Sequence, residues 1–259
     1  MRALVLSAGH GTRLGELTAR TPKPMLDVAG HPLLAIILSN LRRQGIRDIA
    51  VNLHAHPEAI ISRLGDGSGL GVRLHYVREH ELLGTLGAAK NIEDYLAGDG
   101  PFLLHYGDVV TDQDFSDLAA LHQERAALVT IMVHERPGSN SVATIGREGR
   151  VTGFVERPSP AERAVLESNW AFSGIAVLDP AVLRTIPPGA SDLPRDLLPS
   201  VASEGRLYAA PMTGYRRAID SPSRLDALRA DVEAGRCRLF MSADNGDPHV
   251  TRGDSGGGA

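Results

Sequence analysis

Leu4-Val5-Leu6-Ser7-Ala8-Gly9-His10-Gly11-Thr12-Arg13-Leu14, followed at a short distance by Thr21-Pro22-Lys23-Pro24-Met25-Leu26, decides how the rest of the chain is read. The apolar run Ala3 to Leu6 is long enough for a buried strand, and a loop of small residues follows at once. Gly9 and Gly11 allow backbone angles and close approach that a Cβ would forbid. Their N–H groups can turn inward onto an anion. Arg13 adds a planar fork of donors and Lys23 a point charge on a flexible stem. Small loop plus two cations reads as a polyphosphate site. Two named motifs are excluded: Leu14 stands where the third glycine of GxGxxG belongs, and no GxxxxGK[ST] occurs.

The chain has 259 residues, enough for one large α/β domain or two small ones. An apolar content of 42% and a charged content of 22% are those of an ordinary globular protein. A net charge of −4 argues against a dedicated nucleic-acid binder. Cys237 is the single cysteine, so an intrachain disulfide or cysteine metal cluster is excluded, and an inert thiol is expected. No signal pattern precedes Ala3, and no apolar run approaches the roughly 20 residues of a membrane helix. A cytoplasmic protein without membrane or nucleic-acid partners is expected, and a homo-oligomer is compatible with the chain.

Downstream, the spacing of Leu34, Ile37, Leu38 and Leu41 predicts a helix over 32–41. Strands are expected at 49–53 and 72–77, with a helix over 58–64 between them. A helix follows at about 85–96. A central strand at 102–109 ends in Gly107-Asp108. A helix at 117–124 and strands at 128–133, 141–145, 151–156 and 169–178 follow, then a helix at 196–202 and a final helix at 222–234. Alternation of strand and helix implies a mainly parallel, doubly wound α/β sheet with helices on both faces. Ligands bind such sheets beyond the carboxyl ends of the strands, where the loop after Leu6 lies. Residues 1–240 are read as one domain and 241–259, rich in Gly, Asp and Ser, as a disordered tail. No internal repeat is visible.

An acidic residue at a strand's carboxyl end beside a phosphate loop is a natural Mg²⁺ ligand, which singles out Asp108. His105 is expected to pack in the core, and Asp112 to cap the helix after it. Glu79 and Glu81 precede the Gly84-Thr85 helix entry. Solvated loop positions are open to both.

The residues from Leu6 to Leu26 resemble the signature of the sugar-nucleotide pyrophosphorylases, roughly (L/A)xGGxGTRLxPLTxxxPKPxLP. The likeness is to short members such as mannose- or heptose-1-phosphate guanylyltransferases. Ala8 replaces the first glycine and Glu16 a common proline. The resemblance implies a glycosyltransferase-A-like fold, without the β-helix domain of longer relatives. It implies nucleotide contacts from Leu6, Ala8, Gly9, Gly11, Thr12 and Arg13, and base contacts from Gly84, Thr85 and either Glu79 or Glu81; a carboxylate only accepts, which suits a base presenting adjacent donors, such as guanine. Gly107-Asp108 matches the family's Gly-Asp, whose Asp holds the metal. Phe154-Val155-Glu156-Arg157-Pro158 resembles F-x-E-K-P, which implies that Glu156 binds sugar hydroxyls and Arg157, in place of Lys, the sugar's phosphate. In Asn169-Trp170-Ala171-Phe172-Ser173-Gly174, similar to N-A-G-(I/V)-Y, Ser173 stands where Asn contacts the sugar, with Gly174 beside it. Asp220, in a segment resembling W-x-D-I-G-T-P, matches the second metal-binding Asp.

The implied reaction is NTP plus sugar 1-phosphate giving NDP-sugar and pyrophosphate, with Mg²⁺. Arg13, Lys23 and Asp108 are the expected catalytic residues, and the metal ligands are Asp108 and Asp220. The lean is to GTP and a mannose-, heptose- or cyclitol-type phosphate. Uridylyl or thymidylyl transfer to another sugar phosphate, and a non-catalytic sugar-nucleotide binder, are the alternatives.

Overall fold

The computed structural model describes residues 1–98 and 100–241. Its strands, in chain order, are β1 (Ala3–Leu6), β2 (Asp27–Val28), β3 (His31–Pro32), β4 (Asp48–Leu53), β5 (Arg73–Arg78), β6 (Phe102–Tyr106), β7 (Val109–Thr111), β8 (Val129–Glu135), β9 (Ser141–Ile145), β10 (Val151–Glu156), β11 (Trp170–Leu178), β12 (Leu207–Pro211) and β13 (Arg216–Ala218). Nine of them form one sheet in the order β10-β9-β11-β6-β1-β4-β5, with β8 against β11 and β12 beyond β8.

The half of the sheet nearest the signature loop is parallel: β1 lies between β6 and β4, and β5 follows β4. β11 enters antiparallel to both β6 and β8, so the sheet is mixed. Successive residues of β1 serve opposite faces, as the period of two requires. Leu4 joins Leu86, Leu104 and Leu198 on one face, whereas Ala3 and Val5 join Leu38, Ile60 and Leu118 on the other. Both faces are therefore covered by helices, which is why these strands read as unbroken apolar runs. A third apolar cluster ties Leu14 and Leu26 of the signature to Leu225 and Leu228 of the last helix, Pro222–Glu233. Asp231 of that helix accepts from Tyr215 Oη and Arg217 Nη2, both at 2.6 Å. The Tyr215 hydroxyl and the arginines hold its carboxyl below the usual carboxylate range.

Several elements depart from the sequence reading. The strand expected through Val109 ends at Tyr106: the bond from the Gly107 N–H to the Leu6 carbonyl, at 2.8 Å, is the last rung of its parallel pairing with β1, and Gly107-Asp108 form a turn. Val109–Thr111 then starts a separate ribbon with β13. The helix expected over 85–96 breaks at Ile92 into Gly84–Asn91 and Glu93–Leu96. Asp112 caps nothing: its Oδ1 accepts from Tyr215 N and its Oδ2 from Arg238 N, fastening the C-terminal segment. The helix Pro160–Val165, with a capping box between Ser159 and Glu162, and strand β12 were not anticipated. The tail expected from 241 lies, beyond its first residue, outside the described residues. Among the described residues no helix is long and apolar enough to cross a membrane.

Gly84 shows why one position tolerates no side chain. Its φ is +72°, and a Cβ there would sit 2.4 Å from the Ser191 carbonyl oxygen. That same oxygen accepts from Leu86 N at 3.0 Å and Gly87 N at 3.1 Å, so it cannot retreat freely. Gly84→Ala is expected to cost about 1–3 kcal/mol of stability in urea denaturation. Gly69→Ala, at a site with open space and ordinary φ, is expected to change it by less than about 0.5 kcal/mol.

Candidate active site

Beyond the carboxyl ends of β1 and β6 the signature loop makes one wall of two adjoining cavities. Gly11 adopts a left-handed conformation, φ +67°, that brings it against the stem of Lys23; a Cβ would meet Lys23 Cβ at 3.2 Å. Gly9 differs, since a Cβ there would meet nothing within 4 Å. Its smallness is therefore not required by the fold itself; it leaves room in front of the loop. Among the described residues the N–H groups of Gly9, His10 and Gly11 donate to no protein acceptor. A run of unspent donors beside Arg13 and Lys23 is an anion cradle. Leu6 and Ala8 face the inner cavity, and Thr12 the outer.

The inner cavity is bounded by Leu6, Ala8, Gly9, Glu79, Gly84 and Thr85. Glu79 is only 6% exposed, and both its oxygens are engaged. Oε1 accepts from Asn52 Nδ2 at 2.8 Å and Oε2 from Leu83 N at 3.1 Å. Asn52 in turn accepts from Ser7 N at 2.7 Å. This chain of bonds locks the loop, β4 and the Gly84 helix entry together. A carboxylate offers about four lone-pair sites, so Glu79 retains acceptor capacity toward the cavity. Glu81 is exposed and does not border it. Gly84 borders the cavity, but its missing Cβ is demanded by the Ser191 carbonyl behind it.

Asp108 and Asp220 come from segments far apart in sequence and line the same cavity as Gly11, Arg13 and Lys23. The Ile219 N–H donates to the Asp108 carbonyl at 2.8 Å, which fixes the two segments side by side. Lys23 Nζ lies 2.7 Å from Asp108 Oδ2; Arg13 Nη1 lies 3.7 Å from Asp220 Oδ2. Asp108 Oδ1 takes no hydrogen bond from the described residues. No group of three or more His, Cys, Asp or Glu capable of holding a metal gathers among them. Two carboxylates lining one cavity, with Asp108 Oδ1 free of hydrogen bonds among the described residues, fit Mg²⁺, which binds one or two carboxylates and completes its shell with waters and phosphate oxygens. Gly107, just before Asp108, has no room for a side chain: a Cβ would lie 2.5 Å from the Leu6 carbonyl oxygen.

On the other side of Asp108 and Asp220 opens a wider cleft of about 1370 Å³ including its mouth, bordered by Glu156, Arg157, Gly174, Asp192, Arg136 and Arg216. Burial, aided by the charge of Asp192, pushes the Glu156 carboxyl up to about 7. Arg157 has a φ of +52° and a side chain 83% exposed, with Nε 3.8 Å from Glu156 Oε1. Gly174, φ +86°, packs against the Tyr106 ring, which a Cβ would meet at 3.0 Å. Ser173 does not border the cleft. It is fully buried, and its hydroxyl donates to the Met132 carbonyl at 2.7 Å. Trp170 walls a separate cleft with Glu135 and Glu167. His105 is core, 1% exposed, and burial pushes it down to about 4. Burial raises the Cys237 thiol to about 12, as an inert cysteine requires.

The sequence reading missed Asn52, Asp192 and Arg216. Asn52 carried a signal: it is a polar residue inside the apolar run of β4, at that strand's carboxyl end. Asp192, which accepts from Thr85 Oγ1 at 3.1 Å, lies in a segment without periodicity and carried none.

With this geometry in view, comparison with known proteins is direct. Residues 2–215 match the family model described as nucleotidyl transferase. The catalytic subunit beta of mannose-1-phosphate guanylyltransferase from Danio rerio is 30% identical over 261 residues, covering 99% of this chain and 69% of that protein. A UTP–glucose-1-phosphate uridylyltransferase from Synechocystis is 32% identical over 81% of this chain and 57% of its own length. A solved structure of a glucose-1-phosphate thymidylyltransferase from Bacillus anthracis superposes with a TM-score of 0.78 at 22% identity, covering 89% of this chain and 94% of that one, a likeness of fold. Loop, flanking cavities and sheet thus agree with a match over most of the sequence, and the chain belongs to the nucleotidyl transferase family.

Proposed function

We propose that the protein transfers a nucleotidyl group from an NTP to a sugar 1-phosphate, releasing pyrophosphate. The observation that carries this reading is the single cavity lined by Gly11, Arg13, Lys23, Asp108 and Asp220. The base would enter the inner cavity against Leu6, Ala8, Gly84 and Glu79. The triphosphate would lie over Gly9, Gly11 and Thr12, and the sugar phosphate would enter from the cleft of Glu156 and Arg157. GTP is the favoured donor, because Glu79 is an acceptor suited to adjacent base donors and because of the similarity to a guanylyltransferase. Similarity to a uridylyltransferase makes UTP the second reading. A mannose-, heptose- or cyclitol-type phosphate is the favoured acceptor, and the cytoplasm the favoured location.

The chemistry is a displacement at the α-phosphorus by an oxygen of the sugar phosphate. Both partners are anions, so the barrier contains their repulsion, and positioning with charge neutralisation lowers it. Arg13 holds the phosphates that leave. Lys23, steadied by Asp108, places a positive charge at phosphorus. Glu156, once ionised, accepts from sugar hydroxyls and orients the nucleophile. Mg²⁺ on Asp108 and Asp220, when bound, would neutralise charge on the phosphates of both substrates. No general base is needed, because a phosphate monoester is largely dianionic at pH 7.

Asp108→Asn is expected to lower kcat at least about a hundredfold at saturating NTP and Mg²⁺. A rate within a few-fold of wild type would remove Asp108 from the chemistry.

Glu156 also links stability to pH. Its carboxyl rises from 4.5 to about 7 on folding, chiefly through burial and then through Asp192, against the lowering effect of Arg157 and Arg195. The folded state therefore prefers the protonated group. That contribution is complete below pH 4.5 and is lost as pH rises through about 7. Denaturation midpoints are expected to fall between pH 5 and 8 more in the wild type than in Glu156→Gln. Equal slopes would contradict the burial.

A further inference from the structure

The cations around Asp108, Asp220 and the wider cleft fall into two groups: those within ion-pair distance of a carboxylate and, among the described residues, two that are not, Arg136 and Arg216. Lys23 faces Asp108 at 2.7 Å, Arg13 faces Asp220 at 3.7 Å, and Arg224 Nε faces Asp220 Oδ1 at 3.2 Å. Arg216 forms no ion pair with any carboxylate among the described residues, although it borders the same cleft as Asp108, Asp220 and Glu156. Strand pairing fixes it, with Arg216 opposite Thr111 in the ribbon of β13 and β7. Its Nε and Nη2 both donate to the Ser173 carbonyl, at 3.1 and 3.0 Å. That carbonyl is turned to Arg216 where the pairing of β11 with β8 slips between Phe172 and Ala176, next to the left-handed Gly174. Bulges of this kind re-aim groups beside active sites.

Two of the five N–H bonds of the fork are spent on one carbonyl, and the rest of the fork borders the cleft. Burial lowers the guanidinium to about 10, so it remains charged near neutrality. Arg136 lies near enough to add to the positive field. His134, on β8, is pushed down to about 4 by its own burial and then by Arg216 and Arg136. A hydrogen bond to a carbonyl needs no charge, so the staple to Ser173 alone does not account for an arginine here. A half-buried guanidinium outside ion-pair distance of any carboxylate, with only the longer-range charges of Asp108 and Asp220 to offset its desolvation, gains from a bound anion.

We propose that Arg216 binds the phosphate of the acceptor, the phosphate-monoester substrate, and holds it between the carboxylate pair and the sugar-facing cleft. Arg157, exposed at the mouth, then guides the acceptor inward, and Arg216 seats it. The assignment rests on the nucleotidyl-transfer reading and deepens it. It also accounts for Ser173. That residue supplies its carbonyl to orient the guanidinium, and its hydroxyl is tied off against Met132.

The test compares wild type with Arg216→Gln and Arg216→Lys. For Arg216→Gln the KM for sugar 1-phosphate is expected to rise about ten- to a hundredfold, the effect of losing a charge-assisted bond. The KM and Kd for NTP should stay within about twofold. Arg216→Lys keeps the charge without the fork, so an intermediate KM is expected; if the Gln variant does not fold, the Lys variant decides. In parallel, inorganic phosphate is titrated into protein already saturated with a non-hydrolysable NTP analogue, and its Kd should weaken by a similar factor. An unchanged sugar-phosphate KM, or equal rises in both substrates' KM, would overturn the assignment. If wild-type protein turns over no sugar phosphate, the nucleotidyl-transfer reading fails. The phosphate titration then decides Arg216 alone: binding weakened by the substitution supports an anion site there, and unchanged binding overturns it.

Discussion

The contact of Lys23 Nζ with Asp108 Oδ2 at 2.7 Å joins the two halves of the site. Lys23 arrives on the Pro-flanked turn after the signature loop, and Asp108 on the sharp turn that ends β6. Neither turn could be placed without the parallel pairing of β1 with β6 and the absence of a side chain at Gly107. The pair is not a stability device in the first instance. Both side chains keep some contact with solvent, and a salt bridge in that setting contributes little to folding. Its consequence is positional: a positive and a negative group are held at the junction of the inner cavity, the signature loop and the wider cleft.

Charge balance then organises the rest. Two phosphate-bearing substrates have to meet, so the site must supply positive charge without collapsing onto its own acids. It does so by pairing Lys23, Arg13 and Arg224 with Asp108 and Asp220, and by leaving the loop amides unspent. Arg216 is held by a carbonyl in place of a carboxylate. Glu156 is shifted toward its neutral form in the wider cleft, which leaves less negative charge there. Around these groups the packing is rigid. Glu79, Asn52 and Ser7 N form one bonded chain, and Ser191 closes on Gly84 and Gly87.

Much of this was legible in the sequence because the signals are local. The strand before the loop, the glycines, Arg13 and Lys23 lie within 23 residues of one another. Period-3.6 spacing marked the helix after His31 to within two residues, and the Gly-Asp ending of β6 marked Asp108. What escaped reading depends on distant contacts. The break after Tyr106 falls where its partner β1 ends, at Leu6. The antiparallel entry of β11 and the slip at Ser173 follow from where β8 and β6 already lie, and no residue within β11 announces them. Ser173 was singled out from a motif position, but its side chain faces the core while its carbonyl does the positioning. Arg216, the first residue of β13 in a segment read only for Asp220, acquires its significance from its bonds to the Ser173 carbonyl and from having no carboxylate at ion-pair distance among the described residues.

The most direct measurement mixes the protein with each of several NTPs and a panel of sugar 1-phosphates, with Mg²⁺, and follows pyrophosphate together with nucleotide-sugar. The account predicts equal amounts of the two products, only when an NTP and a sugar phosphate are both present, with GTP the preferred donor and UTP next. No pyrophosphate from any pair, or release that does not require the sugar phosphate, would contradict it.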